Sequence, residues 1–264
     1  MPEVRRKFAA LSTHGTKLYK FQQRKSFGEI TQANFPTDFE HVSAGICMGV
    51  VLAWVKERLS SSNNWRHRAL VATHFRNRPG YDFMPNRRPA TEIHTRNAAT
   101  MRAAAQNQIV YSQEGLTEAL RLFSLNERHS VESKGAMRAT PEPGSNLPHI
   151  ADVAGAMTDA VAPERLSAGT AVIFQVSIYD LDNGNYLAGH AVAAYRSHGN
   201  HLFFFDPNIG AYQVVRPAEF MQAWVAGCRT GRNWRVEFDV RDRTKRNGWT
   251  YLQSGSSLPE AAEA

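Results

Sequence analysis

The sequence is poor in cysteine and has no motif of a common metal site. Only two cysteines, Cys47 and Cys228, occur in 264 residues. Two thiols do not make a disulfide framework, so we expect both to be reduced, as suits a cytosolic working environment. Neither a CxxC nor an HExxH motif is present, and we expect neither a metal ion nor a cofactor.

Long hydrophobic runs are missing as well. No run approaches the roughly 20 apolar residues of a transmembrane helix. The basic N-terminus is not followed by an apolar stretch, which argues against a Sec signal peptide. Residues 1–35 are polar and basic, and we expect a weakly ordered leader that serves secretion or targeting. Residues 254–264 are small and polar and predict a flexible tail, which leaves 36–253 as the folded domain.

Acidic residues are fewer than basic residues, so the formal net charge is +7. A positive balance favours an acidic partner or an anionic surface. The basic residues are scattered, apart from an Arg-rich segment at 60–100, so the balance is also typical of a soluble protein with an arginine-rich surface. No signature of a nucleic-acid-binding fold is present, and no specific nucleic-acid partner is expected.

One of the two cysteines precedes an apolar helix. The apolar residues of segment 45–59 recur at helical spacing, which predicts a buried helix that begins at or next to Cys47. Ser43 is a suitable N-cap. A thiol at a helix N-terminus faces unpaired N–H groups and the positive end of the macrodipole, which favour the nucleophilic thiolate. The alternative is that Cys47 is a small buried apolar residue.

Helices and strands are segregated along the chain. Further helices are predicted before the strands at 97–111, 114–126 and 150–162. Strands are predicted at 170–179, 186–196, 201–205, 211–215 and 234–240, with a helix at 217–228. The Asn-Gly pair at 183–184 marks a hairpin. This order predicts an α+β fold in which N-terminal helices pack against a C-terminal antiparallel sheet.

Two polar residues of the predicted sheet could act together. His190 has small neighbours, which let another element approach its ring. Asp206 ends an aromatic strand beside the strand of His190, and a buried carboxylate needs a partner. If the helix of Cys47 packs there, a nucleophile, a base and an orienting carboxylate form a catalytic triad. The alternatives are a structural histidine and an aspartate that only makes an Asx-turn.

Three sequence blocks resemble those of a known family. They are residues 45–49 before a Trp-bearing helix, the Gly-His-Ala of 189–191 and the Phe-Phe-Asp-Pro-Asn-Ile-Gly of 204–210. Together they look like the motif blocks of YopT-type (AvrPphB-like) effector cysteine proteases, of the papain-like superfamily. The resemblance implies a papain-like fold, with Cys47 as nucleophile, His190 as general base and then acid, and Asp206 as the residue that orients His190.

One family feature has no counterpart. Papain-like enzymes carry an amide side chain a few residues before the cysteine, where it stabilises the oxyanion. Residues 38–43 contain no Gln or Asn. We expect His41 or Ser43 to donate instead, beside the backbone N–H of Cys47. Loss of one such donor typically costs about 10²–10³ in rate.

The resemblance also implies a biological setting. It predicts a protease that is a secreted bacterial effector, exported by a route other than Sec, which cleaves a host protein in the host-cell cytosol. A deamidase or transglutaminase-like toxin with the same triad is an alternative, and so is a non-catalytic basic binding module. Cys228 lies late in a predicted helix and is expected to be a structural thiol.

Overall fold

The described part of the chain combines helices with one large antiparallel sheet. The computed structural model describes residues 8–19, 21, 37–43, 45–61, 90–122, 125–129, 140–141, 148–149, 153–180, 185–229, 234–238 and 249–254. The helices are α1 (Leu11–His14), α2 (Phe39–Ser43), α3 (Cys47–Ser61), α4 (Ala90–Glu114), α5 (Leu116–Leu122), α6 (Val153–Ala160) and α7 (Pro217–Arg229). The strands are β1 (Gly15–Tyr19), β2 (Leu125–His129), β3 (Thr140–Pro141), β4 (Pro148–His149), β5 (Thr170–Asp180), β6 (Tyr186–Arg196), β7 (Leu202–Asp206), β8 (Gly210–Val214), β9 (Trp234–Phe238) and β10 (Trp249–Ser254). The α+β class is confirmed, and no helix among these residues has the length and apolarity needed to span a membrane.

The large sheet has the strand order β1-β8-β7-β6-β5-β10-β2, and β9 pairs with β5. The long strands β5 and β6 pair from Thr170↔Arg196 onward, as the hairpin pattern predicts. The register between β6 and β7 ends at Ala193↔Phe205. β6 continues past this last pair. His190 therefore lies on a part of β6 that is not paired with β7, next to the end of β7.

The sheet is covered on both faces, and alternate residues of β7 point to opposite layers. On one face Trp54 of α3 stacks on Phe205, with ring centroids 5.2 Å apart. On the other face Trp224 of α7 packs edge-on against Phe204, at 5.7 Å. Both layers therefore reach the end of β7, whose last residue is Asp206.

The N-terminal segment differs from the expected leader. Leu11 of α1 is fully buried, and β1 pairs with β8 at the edge of the sheet. Phe21 is 2% exposed and lies 5.8 Å from the ring of Phe205. Leu11 is buried in the core cluster that contains Trp224, and Phe21 is buried in the one that contains Trp54. The folded part therefore begins before residue 36. Residues 1–7 and 22–36 lie outside the described residues, and a secretion or targeting role stays a prediction.

Several element bounds also differ from expectation. α4 starts at Ala90 and is separated from α5 by Gly115, which adopts a φ of +89° and so ends the helix as glycine commonly does. The sequence pattern predicts neither the strand β10 nor the short pair β3–β4. The Arg-rich segment falls mostly on residues 62–89, outside the described residues, as does the tail after Ser254.

Candidate active site

Cys47 is the first residue of α3 and is half-buried. Gly45 before it has a φ of +144°, a backbone conformation that glycine adopts at little cost. This turn lets the chain enter α3 abruptly, while Ile46 is buried in the core. The thiol thus lies at the N-terminus of a helix whose later residues are anchored in the core, as the sequence pattern predicts.

His190 and Asp206 are in direct contact. Nε2 of His190 lies 2.9 Å from Oδ1 of Asp206. The two side chains are 10% and 2% exposed, respectively. The contact arises because β6 runs past the end of β7, so the last residue of β7 meets a ring projecting from the extended part of β6.

The thiol of Cys47 completes the cluster. It lies beside the ring of His190, and its hydrogen bonding and charge contribute to the raised pKa of that ring. Since Nε2 faces Asp206, Nδ1 is the nitrogen that remains for the sulfur. The thiol, the imidazole and the carboxylate therefore lie next to one another, and they are drawn from a helix and two neighbouring strands.

The carboxylate of Asp206 is fixed from two further directions. The backbone N–H of Asn208 donates to Oδ1 at 2.7 Å, and the indole N–H of Trp224 donates to Oδ2 at 2.9 Å. The side-chain amide nitrogen of Asn208 also lies 3.5 Å from Nε2 of His190. Both carboxylate oxygens are thus satisfied although the group is buried, as a buried charge requires.

The electrostatics of the pair follow from burial and mutual attraction. Burial lowers the pKa of His190, but the Asp206 charge, the hydrogen bond to Asp206 and the contact with Cys47 outweigh it and raise this pKa to about 10. Burial raises the pKa of Asp206, but His190 and the donors from Asn208 and Trp224 outweigh it, so the pKa lies below its usual value. At neutral pH the site therefore holds an imidazolium beside the thiol.

Of the two residues expected at the oxyanion position, the structure describes the side-chain contacts of His41 only. Nδ1 of His41 lies 3.0 Å from Oγ of Ser112, and its Nε2 lies 3.5 Å from Oε1 of Glu40. Both ring nitrogens are engaged, so His41 must release one partner before it can donate to an oxyanion. The side chain of Ser43 lies outside the described residues. An oxyanion role for either residue stays a prediction.

Cys228 behaves as a structural thiol. It packs at the edge of the core cluster around Trp224. Burial, with a smaller effect from the Asp206 charge, raises its pKa well above the usual value. A thiol held in its neutral form is a poor nucleophile. Among the described residues, no group of three or more His, Cys, Asp or Glu is arranged to hold a metal ion.

Sequence reasoning missed three contacts of the site. Asn208 follows Asp206 by two residues, and its part was visible as the Asx-turn signal of the Asp-Pro-Asn segment. Trp224 lies in the predicted helix 217–228, and no local pattern places its indole N–H beside Asp206. Gln108 of α4 accepts hydrogen bonds from the backbone N–H groups of Met48 and Gly49, and no local pattern ties it to a helix 60 residues earlier.

Comparisons with known proteins identify a family for this chain. The family model Peptidase_C58, described as Yersinia/Haemophilus virulence surface antigen, matches residues 9–228. The crystal structure of the Pseudomonas avirulence protein AvrPphB aligns at 13% identity over 79% of this chain and 89% of that chain, with a TM-score of 0.38. No curated protein matches the sequence significantly. Because the family model covers most of the chain, the protein belongs to the Peptidase_C58 family and is a cysteine protease.

Proposed function

We propose that Cys47, His190 and Asp206 are the catalytic residues of this protease. The observation that carries the proposal is the hydrogen bond between His190 and Asp206 at 2.9 Å, with the Cys47 thiol close enough to the same ring to raise its pKa. A nucleophile bonded to a base, and a base bonded to an orienting group, is the arrangement of nucleophilic acyl transfer. The order of a nucleophile helix followed by a sheet with the histidine and aspartate is that of the papain-like superfamily.

The chemistry proceeds through an acyl-enzyme. The Cys47 thiolate attacks the peptide carbonyl, and the carbonyl oxygen becomes an oxyanion beside the N-terminus of α3. His190 as imidazolium gives its proton to the leaving amine as the C–N bond breaks. Water then attacks the thioester, His190 accepts its proton, and the carboxylic acid leaves with regeneration of the thiolate–imidazolium pair.

Asp206 and the start of α3 contribute to these reaction steps in different ways. Asp206 accepts from Nε2, so Nδ1 carries out the proton transfers at the sulfur and the substrate. The backbone N–H of Cys47 lies at the positive end of the helix dipole, where developing negative charge is stabilised. Neither contribution requires a metal ion.

The substrate is a protein, and we propose that it is a protein of a host cell. The description of the matched family as a virulence antigen supports this setting. We propose further that the protein is secreted without the Sec route and acts in the host cytosol. The positive net charge of +7 suits recruitment by an acidic or anionic surface.

The test is incubation of the wild-type protein and a Cys47→Ala variant with a host-cell lysate, followed by mass spectrometry of protein termini. Wild type is expected to generate new termini that are missing with Cys47→Ala. The Cys228→Ala variant is the matched control and is expected to generate the same termini as wild type. Intact partners with deamidated side chains and no new termini would contradict the proteolytic reaction and favour a deamidase.

A further inference from the structure

The first turn of α3 is held by a side chain from another helix. The side-chain oxygen of Gln108 accepts the backbone N–H of Met48 at 3.2 Å and that of Gly49 at 3.3 Å. These two residues directly follow Cys47. The first N–H groups of a helix have no partner inside the helix, and Gln108 satisfies two of them while remaining buried at 8% exposure.

The backbones of α3 and α4 approach each other closely at this point. A Cβ atom added at Gly49 would lie 1.8 Å from the carbonyl oxygen of Ala104 and 3.2 Å from the backbone nitrogen of Gln108. Only a glycine at position 49 permits this approach. The approach in turn brings the first turn of α3 within reach of the Gln108 side chain.

We propose that Gln108 is a positioning residue of the protease site, which fixes the first turn of α3 so that Cys47 meets His190. This inference rests on the proposed role of Cys47 as nucleophile. A neutral amide makes both hydrogen bonds without placing a negative charge at the helix N-terminus. The positive potential there is left for the thiolate. A carboxylate at position 108 would accept the same two bonds but would oppose ionisation of the thiol.

The charged groups around Cys47 determine whether a charge added at position 108 changes the reactivity of the thiol measurably. From the sheet, His190 faces the thiol directly, and Asp206 lies behind it. On α4 the nearest described charged residues, Arg102 and Glu114, lie six residues to either side of Gln108, about 9 Å along the helix. From α2, Glu40 and His41 contact each other, and His41 is turned toward Ser112.

The experiment measures alkylation of Cys47 by iodoacetamide against pH, by peptide mass spectrometry, in wild type and three variants. Gln108→Met removes the acceptor and keeps the length of the side chain. Gln108→Glu keeps the acceptor and adds a charge. Gln106→Met makes the first change on an exposed position of the same helix, and it is the matched control. Thermal unfolding is recorded in parallel.

Gln108→Met is expected to slow alkylation at pH 6 by about tenfold, because a displaced thiol loses its imidazolium partner. Gln108→Glu is expected to slow alkylation of Cys47 at pH 6 by about tenfold, because its carboxylate disfavours negative charge at the start of α3. Gln106→Met is expected to match wild type in both measurements.

Three results would contradict the inference, and they can be told apart. A Gln108→Glu profile that superimposes on wild type would overturn the inference and leave Gln108 as a merely structural cap, and this variant decides the matter if Gln108→Met does not fold. Wild-type alkylation by a folded Gln108→Met variant would overturn it as well. If wild-type Cys47 itself reacts no faster than Cys228, the proposed function fails, and the inference fails with it.

Discussion

The indole N–H of Trp224 donates to Oδ2 of Asp206 at 2.9 Å, the carboxylate oxygen that His190 does not contact. Trp224 belongs to α7, whereas Cys47 belongs to α3 on the other face of the sheet. The two helix layers therefore meet at the end of β7, and each contributes one residue to the site. The orientation of the imidazole depends on both layers.

Trp224→Phe tests the contribution of that donor. The phenyl ring retains most of the packing on Phe204, but Oδ2 loses its partner, so we expect the free energy of unfolding to fall by about 1–3 kcal/mol. Because the carboxylate is less well oriented, kcat is expected to fall several-fold with little change in KM. Urea unfolding and steady-state kinetics on a cleaved substrate measure the two effects.

The matched control for this change is Trp54→Phe. The indole N–H of Trp54 has no hydrogen-bond partner within the described part of the chain, so the same trimming removes ring area alone. A loss of stability at Trp224 no greater than that at Trp54 would count against the hydrogen bond to Asp206 as a stabilising contact.

Asp206→Asn tests the electrostatic role of the carboxylate. The amide retains the shape of the side chain but removes the charge that raises the pKa of His190 to about 10. The alkaline limb of the kcat/KM profile, where the imidazolium loses its proton, is therefore expected to move to lower pH. We also expect kcat to fall by about 10²–10⁴. An alkaline limb at the wild-type position would show that another group titrates there.

The ion pair predicts a pH dependence of stability. Asp206 has a lowered pKa, so its contribution is present above its unfolded pKa of about 3.9 and is lost as the pH falls through the folded value. His190 has a raised pKa, so its contribution is complete below its unfolded pKa of about 6.5 and is lost as the pH rises toward about 10. The stabilisation by the pair is therefore expected to be greatest between about pH 4 and 6.5.

Urea unfolding of wild type and His190→Ala at pH 3, 5.5 and 10, each chosen about these limits, measures this dependence. The difference in free energy of unfolding between the two proteins is expected to be largest at the middle value. Both proteins should carry Cys228→Ala, because the thiol of Cys228 has a raised pKa and adds its own loss of stability in alkali. A difference that does not vary with pH would be inconsistent with a native ion pair.

Gly49→Ala tests the close approach of α3 and α4. The added methyl group would meet the backbone oxygen of Ala104 at 1.8 Å, and a backbone cannot yield as a flexible side chain does. We expect a loss of about 3 kcal/mol or more in the free energy of unfolding. Gly199→Ala is the control, since its nearest neighbour is an ordinary contact at 3.4 Å to the ring of His201. Equal losses for both variants would contradict the packing described.

The sequence predicts those parts of this protein that depend on local pattern. The start of α3 at Cys47 follows from helical spacing, and the pairing of β5 with β6 follows from two β-rich runs around an Asn-Gly pair. The contact between His190 and Asp206 follows from the adjacency of their strands. Each of these features is determined by residues close together in the chain or by one hairpin connection.

The features that sequence reasoning missed depend on distant partners. β10 pairs with β5, from which it is separated by four strands and a helix, and a charged stretch precedes it. β1 is a short edge strand whose partner β8 is even more distant in the chain. The bonds of Gln108 to α3 and of Trp224 to Asp206 join side chains that no periodicity relates. Such contacts exist only once the layers have packed.

The most direct test of the account is competitive alkylation of the folded protein by a limiting amount of iodoacetamide at pH 6, with Cys47 and Cys228 quantified separately by peptide mass spectrometry. A thiol paired with an imidazolium reacts as thiolate below its ordinary pKa, whereas a buried neutral thiol does not. We predict that Cys47 is modified first in wild type and that His190→Ala slows this reaction by about 100-fold, because the thiol loses the imidazolium beside it. Preferential modification of Cys228, or a Cys47 rate unchanged in His190→Ala, would contradict the catalytic assignment.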